Sequence, residues 1–532
     1  MNNKKWIFYL TAFFSGMSVM GIELGASRLL APYFSSSQII WTIIIGTIMI
    51  AMAIGNVIGG KMADKYESPT RLFIWLFIAA TFTMLIPLFG KFVIAGVALV
   101  LATFVTQNYL VWASLISCLL VFVFPLLVLG MITPNLVKFA VKDISENGKT
   151  VGVIEACNTI GSIIGTFLPT FVTIPTLGTT LTFVVFASVL YVICLIYFIY
   201  KKQHVVKTTV ITVIALIIGI SSNQIGTAFW KSDVVYEGES LYNYLRVEQD
   251  SEKIIFSTNV LFTCQSIKKK NSNLTGWYYD YALAGPVIAG GNTKPISVCI
   301  LGLGTGTYAE ECLKRFNISN VDGVEIDGKI IELAYTYFDL PSQVNAYEED
   351  GRAFLEASDK KYDVILVDAY RDITIPFQLS SVEFFNSVKD HLTTNGVMVV
   401  NMNMRSKNEG SINDYIEGTV RSCFSSVYTC NAGGNVELFA SNNFDVKEVL
   451  TNNINDISDT TLKNFMYRVK NALEIVEPSD YILTDDKAPV EVLGMKVLDE
   501  LIASELEGIK NAIKGKSIKE LLDMIISGNF NF

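Results

Sequence analysis

Histidine is nearly missing from this sequence: two copies, His204 and His391, in 532 residues. They stand far apart, which argues against a histidine-rich metal centre. The eight cysteines form no CxxC pair. Cys118, Cys157 and Cys194 lie in apolar segments and the other five are scattered, so neither a structural zinc site nor a redox pair is indicated. No metal site is expected. Charge is also scarce: 17% of residues are charged, against the usual quarter. What charge there is leans acidic, with a formal net of −9. That balance argues against a nucleic-acid partner and suits cationic ligands better.

The shortage of charge is local. From Trp6 to about Ser221 charges are sparse and apolar runs are long; from about Lys231 onward the composition is that of a soluble α/β protein. Apolar stretches of spanning length fall at roughly 6–31, 38–60, 71–90, 111–137, 151–174 and 178–200, with a shorter one at 205–221. Residues 91–106 read as a short helix between spans three and four. The first stretch is too long for the core of a signal peptide and has no obvious small-residue cleavage site. A membrane domain of about seven spans is therefore expected over 1–225, a small β subdomain over 226–292, and an α/β domain over 293–532.

Lysine and arginine mark the sides of the membrane half. Lys4 and Lys5, then Lys61, Lys65 and Arg71, then Lys138, Lys142 and Lys149, then Lys201, Lys202 and Lys207 alternate with loops 32–37 and 175–179, which carry no basic residue. The pattern is positive-inside for six spans starting in the cytosol. "GNVIGGKMADK" resembles the cytosolic loop signature of major-facilitator proteins, so the spans would form one half of that fold. If 205–221 also spans, the soluble half ends outside; if it lies at the interface, or if 91–106 is an extra span, the soluble half stays inside. A cytosolic soluble half is expected, from where the nucleosides discussed below are made. Glu23, Arg28 and Glu155 are charged residues inside spans, and intramembrane acids are functional candidates.

In the soluble half, "PISVCILGLG", "NVDGVEID", "KYDVILVDAY" and "GVMVVNMN" read as strands separated by helical segments. Such alternation implies a parallel, doubly wound, Rossmann-like sheet, with its ligand at the carboxyl ends of the strands. "SSVYTCNAGGNVELFASNN" reads as a hairpin, and the stretch before the sheet as a small β subdomain. Gly302, Gly304 and Gly306 make GxGxG directly after the first strand. A dinucleotide fingerprint is GxGxxG, whose third glycine would be Thr307. NAD and FAD are thus disfavoured, and an S-adenosylmethionine-type ligand is favoured. Glu325 ends the second strand, where an acid would grip both ribose hydroxyls. Asp350 and Gly351 stand where such enzymes hold the adenine.

The Tyr-rich segment, the glycine loop, "VEID", "EDGRAFL", "YDVILVDAY" and "LTDDKAPVE", in that order, resemble the spermidine synthases, or polyamine aminopropyltransferases. The likeness is greatest to their membrane-fused bacterial relatives and covers nearly the whole chain. It implies a transferase whose co-substrate is decarboxylated S-adenosylmethionine or S-adenosylmethionine, with no prosthetic group. The nucleoside would lie on Asn243, Gly302, Gly304, Thr305, Gly306, Glu325, Ile326, Asp350 and Gly351. Asp368 would be the catalytic base, and Tyr279, Asp280, Tyr370, Asp372, Asp485 and Asp486 would line the amine. A base is needed because an alkyl amine, with a pKa of about 10, is protonated at neutral pH. Expected partners are a small amine or polyamine, the lipid bilayer and a second copy of the chain. The soluble enzymes carry an Asp inside the glycine loop where this chain has Thr305, and a Tyr where it has Lys487. Two other readings stay open: another S-adenosylmethionine-dependent transferase, such as a methyltransferase with a membrane-delivered substrate, and a transporter or sensor that binds polyamine or nucleoside without turnover.

Overall fold

The structure is a computed structural model. It describes residues 5–513 apart from 67, 106, 142–146, 262–263, 370–374, 404–405 and 407.

The apolar half forms nine helices among the described residues: α1 (Lys5–Phe34), α2 (Gln38–Lys65), α3 (Thr70–Phe104), α4 (Tyr109–Val121), α5 (Val123–Gly130), α6 (Ile132–Ala140), α7 (Asn147–Leu168), α8 (Ile174–Lys201) and α9 (Val205–Ser221). Counted as continuous helical stretches, six are long and apolar enough to cross a membrane. Residues 91–106 do not form a separate short helix: residues up to Phe104 continue α3 through Pro87. The single glycines Gly90 and Gly96 do not end the apolar run, and a proline alone kinks a helix more readily than it ends one when neighbouring helices pack around it.

Helices α1 and α7 cross at backbone contact. A Cβ on Gly161 would lie 1.9 Å from the Phe13 carbonyl oxygen, and one on Gly165 would lie 2.2 Å from that of Met17. Small residues permit this approach, and close packing is what holds helices together where lipid removes the hydrophobic drive. Elsewhere the helices expose large apolar side chains, such as Met49, Ile50 and Val57 on α2, a surface suited to lipid.

The soluble half opens with a four-stranded antiparallel sheet in the order β1-β2-β3-β4, made of β1 (Val234–Glu239), β2 (Tyr244–Gln249), β3 (Lys253–Ser257) and β4 (Ser266–Lys269). Two short helices, α10 (Tyr278–Ala282) and α11 (Ala284–Ile288), lead into the main sheet. Its strands are β5 (Ile296–Leu301), β6 (Ile318–Glu325), β7 (Val344–Glu348), β8 (Tyr362–Val367), β9 (Leu392–Met402), β10 (Ser426–Ala432), β11 (Asn435–Ser441) and β12 (Glu474–Ile475). They stand in the order β12-β10-β11-β9-β8-β5-β6-β7. The five strands from β9 to β7 run parallel, and β11 and β10 form the expected antiparallel hairpin. Strand β7, "VNAYE", is short and only partly buried, so it lacks the apolar run that marked its neighbours.

The central strands β5 and β8 read as nearly continuous apolar runs because both faces are covered. Val298, Ile300, Val364 and Leu366 pack into one core, while Cys299, Leu301, Ile365 and Val367 pack into another. The chain leaves β5 toward β6 and β7, then returns to the other side of β5 as β8. That reversal opens a crevice at the strand carboxyl ends, between β5 and β8.

Candidate active site

Three strand ends meet at this crevice. Leu301 of β5 is in register with Val324 of β6 and with Val367 of β8. The next residue or two of each strand are Gly302, Glu325 and Asp368. The Asp368 amide donates to the Leu301 carbonyl at 2.8 Å, and the Gly302 amide to that of Val324 at 2.9 Å.

The glycine loop joins β5 to α12 (Thr307–Arg315). Gly302 has φ 94°, and a Cβ there would lie 2.4 Å from the Asp368 carbonyl oxygen. Only glycine meets both demands. Gly304 has φ 54°, and a Cβ there would meet nothing within 4 Å. Its open side is room for a ligand against the backbone. Gly306 closes the loop at φ 80° against Leu340. The Gly304 amide donates to Glu325 Oε2 at 2.9 Å, and the Asp327 amide to Glu325 Oε1 at 3.2 Å. Burial outweighs these bonds and raises the Glu325 carboxyl to about 7. Ile326 is exposed beside it.

Asp327, passed over in the sequence, ties the two sheets together. It caps α13 (Gly328–Tyr337), accepting from the Lys329 amide at 3.2 Å, and its other oxygen accepts from Asn243 Nδ2 at 3.0 Å and from the Ser240 hydroxyl. Asn243 is thus tied to Asp327, whose amide donates to the Glu325 carboxylate that Gly304 also holds. Asp350 caps α14 (Gly351–Glu356), accepting from the amides of Arg352 and Ala353, both at 3.0 Å. Asp350 and Gly351 follow β7, one strand beyond Glu325.

Asp368 is held from two sides. Tyr278 Oη donates to Oδ2 at 2.7 Å, and Asn401 Nδ2 to Oδ1 at 2.6 Å. Asn435 Nδ2 donates to Asn401 Oδ1 at 2.8 Å and so fixes which way that amide points. Burial raises the Asp368 carboxyl to about 7 despite both bonds. A carboxylate with that value is near the optimum for proton transfer at neutral pH.

Several expected amine contacts find other partners. Tyr279 is buried with its hydroxyl 2.9 Å from that of Ser266, and its neighbour Tyr278 is the one that reaches Asp368. Thr305, expected at the nucleoside, is buried, and its hydroxyl joins the same Ser266 hydroxyl. Asp280 is fully buried and occupied by the amides of Thr275 and Gly276 and the Thr275 hydroxyl, at 2.9, 2.7 and 2.8 Å. Three of the roughly four acceptor sites of this carboxylate are thus spent on holding the chain's own turn. Asp485 is engaged by Arg352 through two bonds of 2.8 Å, which hold its carboxyl below the usual range. Asp486 is exposed in the tight turn closed by Thr484 and Lys487. Glu491 accepts from the amide of Gln38 at the start of α2. Tyr370 and Asp372 lie outside the described residues.

Tyr278, Asn401 and Glu437 were missed. Asn401 was detectable as a polar residue directly after the apolar run Val397, Met398, Val399 and Val400 of β9, and Glu437 as the charged residue of β11; Tyr278 had no signal separating it from Tyr279. No group of three or more potential metal ligands occurs among the described residues.

A model of the spermine/spermidine synthase domain matches residues 286–432. A probable polyamine aminopropyl transferase of Bifidobacterium longum is 44% identical over 347 residues, 62% of this chain and 77% of that protein. The chain belongs to the polyamine aminopropyltransferase family. A polyamine aminopropyltransferase of Vibrio vulnificus is 29% identical over 208 residues, 37% of this chain and 67% of that one. The spermidine synthase structure from Thermotoga maritima aligns at 18% identity with a TM-score of 0.34, over 52% of this chain and 88% of that one. This aminopropyltransferase is therefore an enzyme of the transferase class, with Asp368 and the glycine loop both inside the matched residues.

Proposed function

We propose that the protein moves an aminopropyl group from decarboxylated S-adenosylmethionine to an amine, with Asp368 as base. The observation that carries this is the placement of Asp368 between two donors at the end of β8, against the glycine loop. The nucleoside lies over Gly304, its ribose on Glu325 and its base toward Ile326, Asp350 and Gly351; Asn243 closes the rim. The amine nitrogen attacks the methylene carbon beside the sulfonium. A C–N bond forms and the C–S bond breaks. Its electron pair stays on sulfur as neutral methylthioadenosine, and the amine's proton passes to Asp368. Tyr278 and Asn401 keep the carboxylate facing the amine.

Calorimetric titration with S-adenosylmethionine, its decarboxylated form and methylthioadenosine tests the donor. Tighter binding of the decarboxylated form is expected. Preference for the carboxylated form, or no binding of any, refutes the assignment.

The protein works as a multi-pass membrane enzyme whose catalytic half stands on the face opposite the lysine-rich loops. The 55-residue stretch Asn147–Lys201 is broken at Gly178, with φ 83° and ψ 171°. Fifty-five helical residues would reach about 80 Å, nearly three bilayer cores, so this stretch supplies two crossings and the total is seven. The soluble half bonds to the ends that lack basic residues. Val260 N donates to the Pro32 carbonyl at 2.8 Å, and Thr179 N to Glu239 at 3.1 Å. Lys61, Lys65, Lys138, Lys149, Lys201 and Lys202 mark the other ends. By the positive-inside rule those are cytosolic, which reverses the cytosolic placement expected for the catalytic half. An impermeant maleimide should label an engineered cysteine at 232 in intact cells and spare one at 68. The opposite pattern refutes the orientation.

A further inference from the structure

We infer that Glu437 is a specificity-determining residue of the amine site, the anchor that takes the second ammonium group of a diamine or polyamine acceptor and so selects it over a monoamine. The inference rests on the amine-site reading above. Glu437 lies on β11, directly across from Asn401 of β9 in the antiparallel ladder. Paired residues in such a ladder share one face of the sheet, with Cβ atoms about 5 Å apart. Asn401 in turn touches Asp368. The row therefore runs Asp368, Asn401, Glu437 across neighbouring strands, with one amide side chain between two carboxyl groups.

Glu437 is fully buried, at 0% exposure, and neither carboxyl oxygen has a hydrogen-bond partner among the described residues. A structural buried glutamate would be expected to show donors, as Asp280 does. An unpartnered one is expensive and is expected only where a ligand completes it. Helix α10, carrying Tyr278 and Tyr279, packs against both β9 and β11, so the tyrosines roof the row. Burial and the neighbouring Asp368 push the Glu437 carboxyl well above the usual range. An empty site thus favours a proton on Glu437, and an ammonium would replace it as the compensating charge. A diamine lies along the row with its reacting nitrogen at Asp368 and its distal nitrogen at Glu437. A monoamine reaches Asp368 and leaves Glu437 unpaired.

The test is Glu437→Gln in the full chain, with diaminobutane and butylamine as probes. Both are titrated calorimetrically into protein loaded with methylthioadenosine, and both are assayed as acceptors. The variant should bind diaminobutane roughly 10- to 150-fold more weakly, the span of one hydrogen bond to a charged group, with KM rising and kcat little changed. Butylamine binding should change less than about threefold. Equal losses for both amines, or undiminished diamine affinity, would overturn the inference. Glutamine keeps the shape and removes the buried charge, and methylthioadenosine binding verifies that the variant is folded. Failure of the wild type to bind methylthioadenosine would overturn the site reading itself and this inference with it.

Discussion

Asp368→Asn separates the base from its surroundings. The substitution keeps the size of the side chain and removes its capacity to take a proton. General-base catalysis is worth about 100- to 10,000-fold, so kcat should fall by that factor, or about 3–5.5 kcal/mol. The fold should survive, because two effects oppose each other. Asparagine offers one acceptor oxygen to two donors, Tyr278 Oη and Asn401 Nδ2, and one unmatched donor costs about 1–3 kcal/mol. Against that stands the strain of the native carboxylate. Its value is raised from 3.8 to about 7, so the folded state holds the proton more tightly than the unfolded chain. The stability this contributes is full below about pH 4 and lost as pH rises through about 7, up to about 4 kcal/mol. Above pH 7 the variant is relieved of that cost. Release of methylthioadenosine should be followed at saturating donor from pH 5.5 to 9. Wild-type kcat should rise through about pH 7, the acid limb should disappear in the variant, and methylthioadenosine affinity should stay within a few-fold. More than a tenth of wild-type kcat in the variant at pH 8 would refute Asp368 as base, and so would a flat wild-type profile.

Glu325→Ala should weaken methylthioadenosine by about 1.5–3 kcal/mol, the worth of hydrogen bonds to a charged acceptor; unchanged affinity in calorimetry would remove the ribose assignment. Because the Glu325 carboxyl is raised to about 7, wild-type nucleoside affinity should fall as pH drops through that value, an effect absent from the alanine variant. Tyr278→Phe removes a donor to the ionised form of Asp368, so the acid limb of the kcat profile should move to higher pH; a shift the other way would contradict the geometry. Gly302→Ala places a Cβ 2.4 Å from the Asp368 carbonyl at φ 94°, and a loss of about 1–3 kcal/mol in denaturant melts is expected, with nucleoside binding weakened.

The sequence by itself determined the large divisions of this protein. Long apolar runs can only be buried in lipid or protein, and strands covered on both faces are mostly apolar, so the membrane half and β5, β6, β8 and β9 were legible. Gly302, Gly304 and Gly306 were legible because backbone at positive φ selects glycine locally. What the chain brings together from afar was not. Tyr278 and Tyr279 are equal in sequence, and the turn of α10 decides that Tyr278 reaches Asp368. Asp280 and Asp485 look like free carboxylates until Thr275, Gly276 and Arg352 fold onto them. Glu437 becomes meaningful only through the register that sets it opposite Asn401. Local patterning fixes which segments are apolar and where the backbone must bend. Which carboxylate is spent on structure and which is left for a ligand depends on donors far away in the chain, and only the tertiary structure decides that.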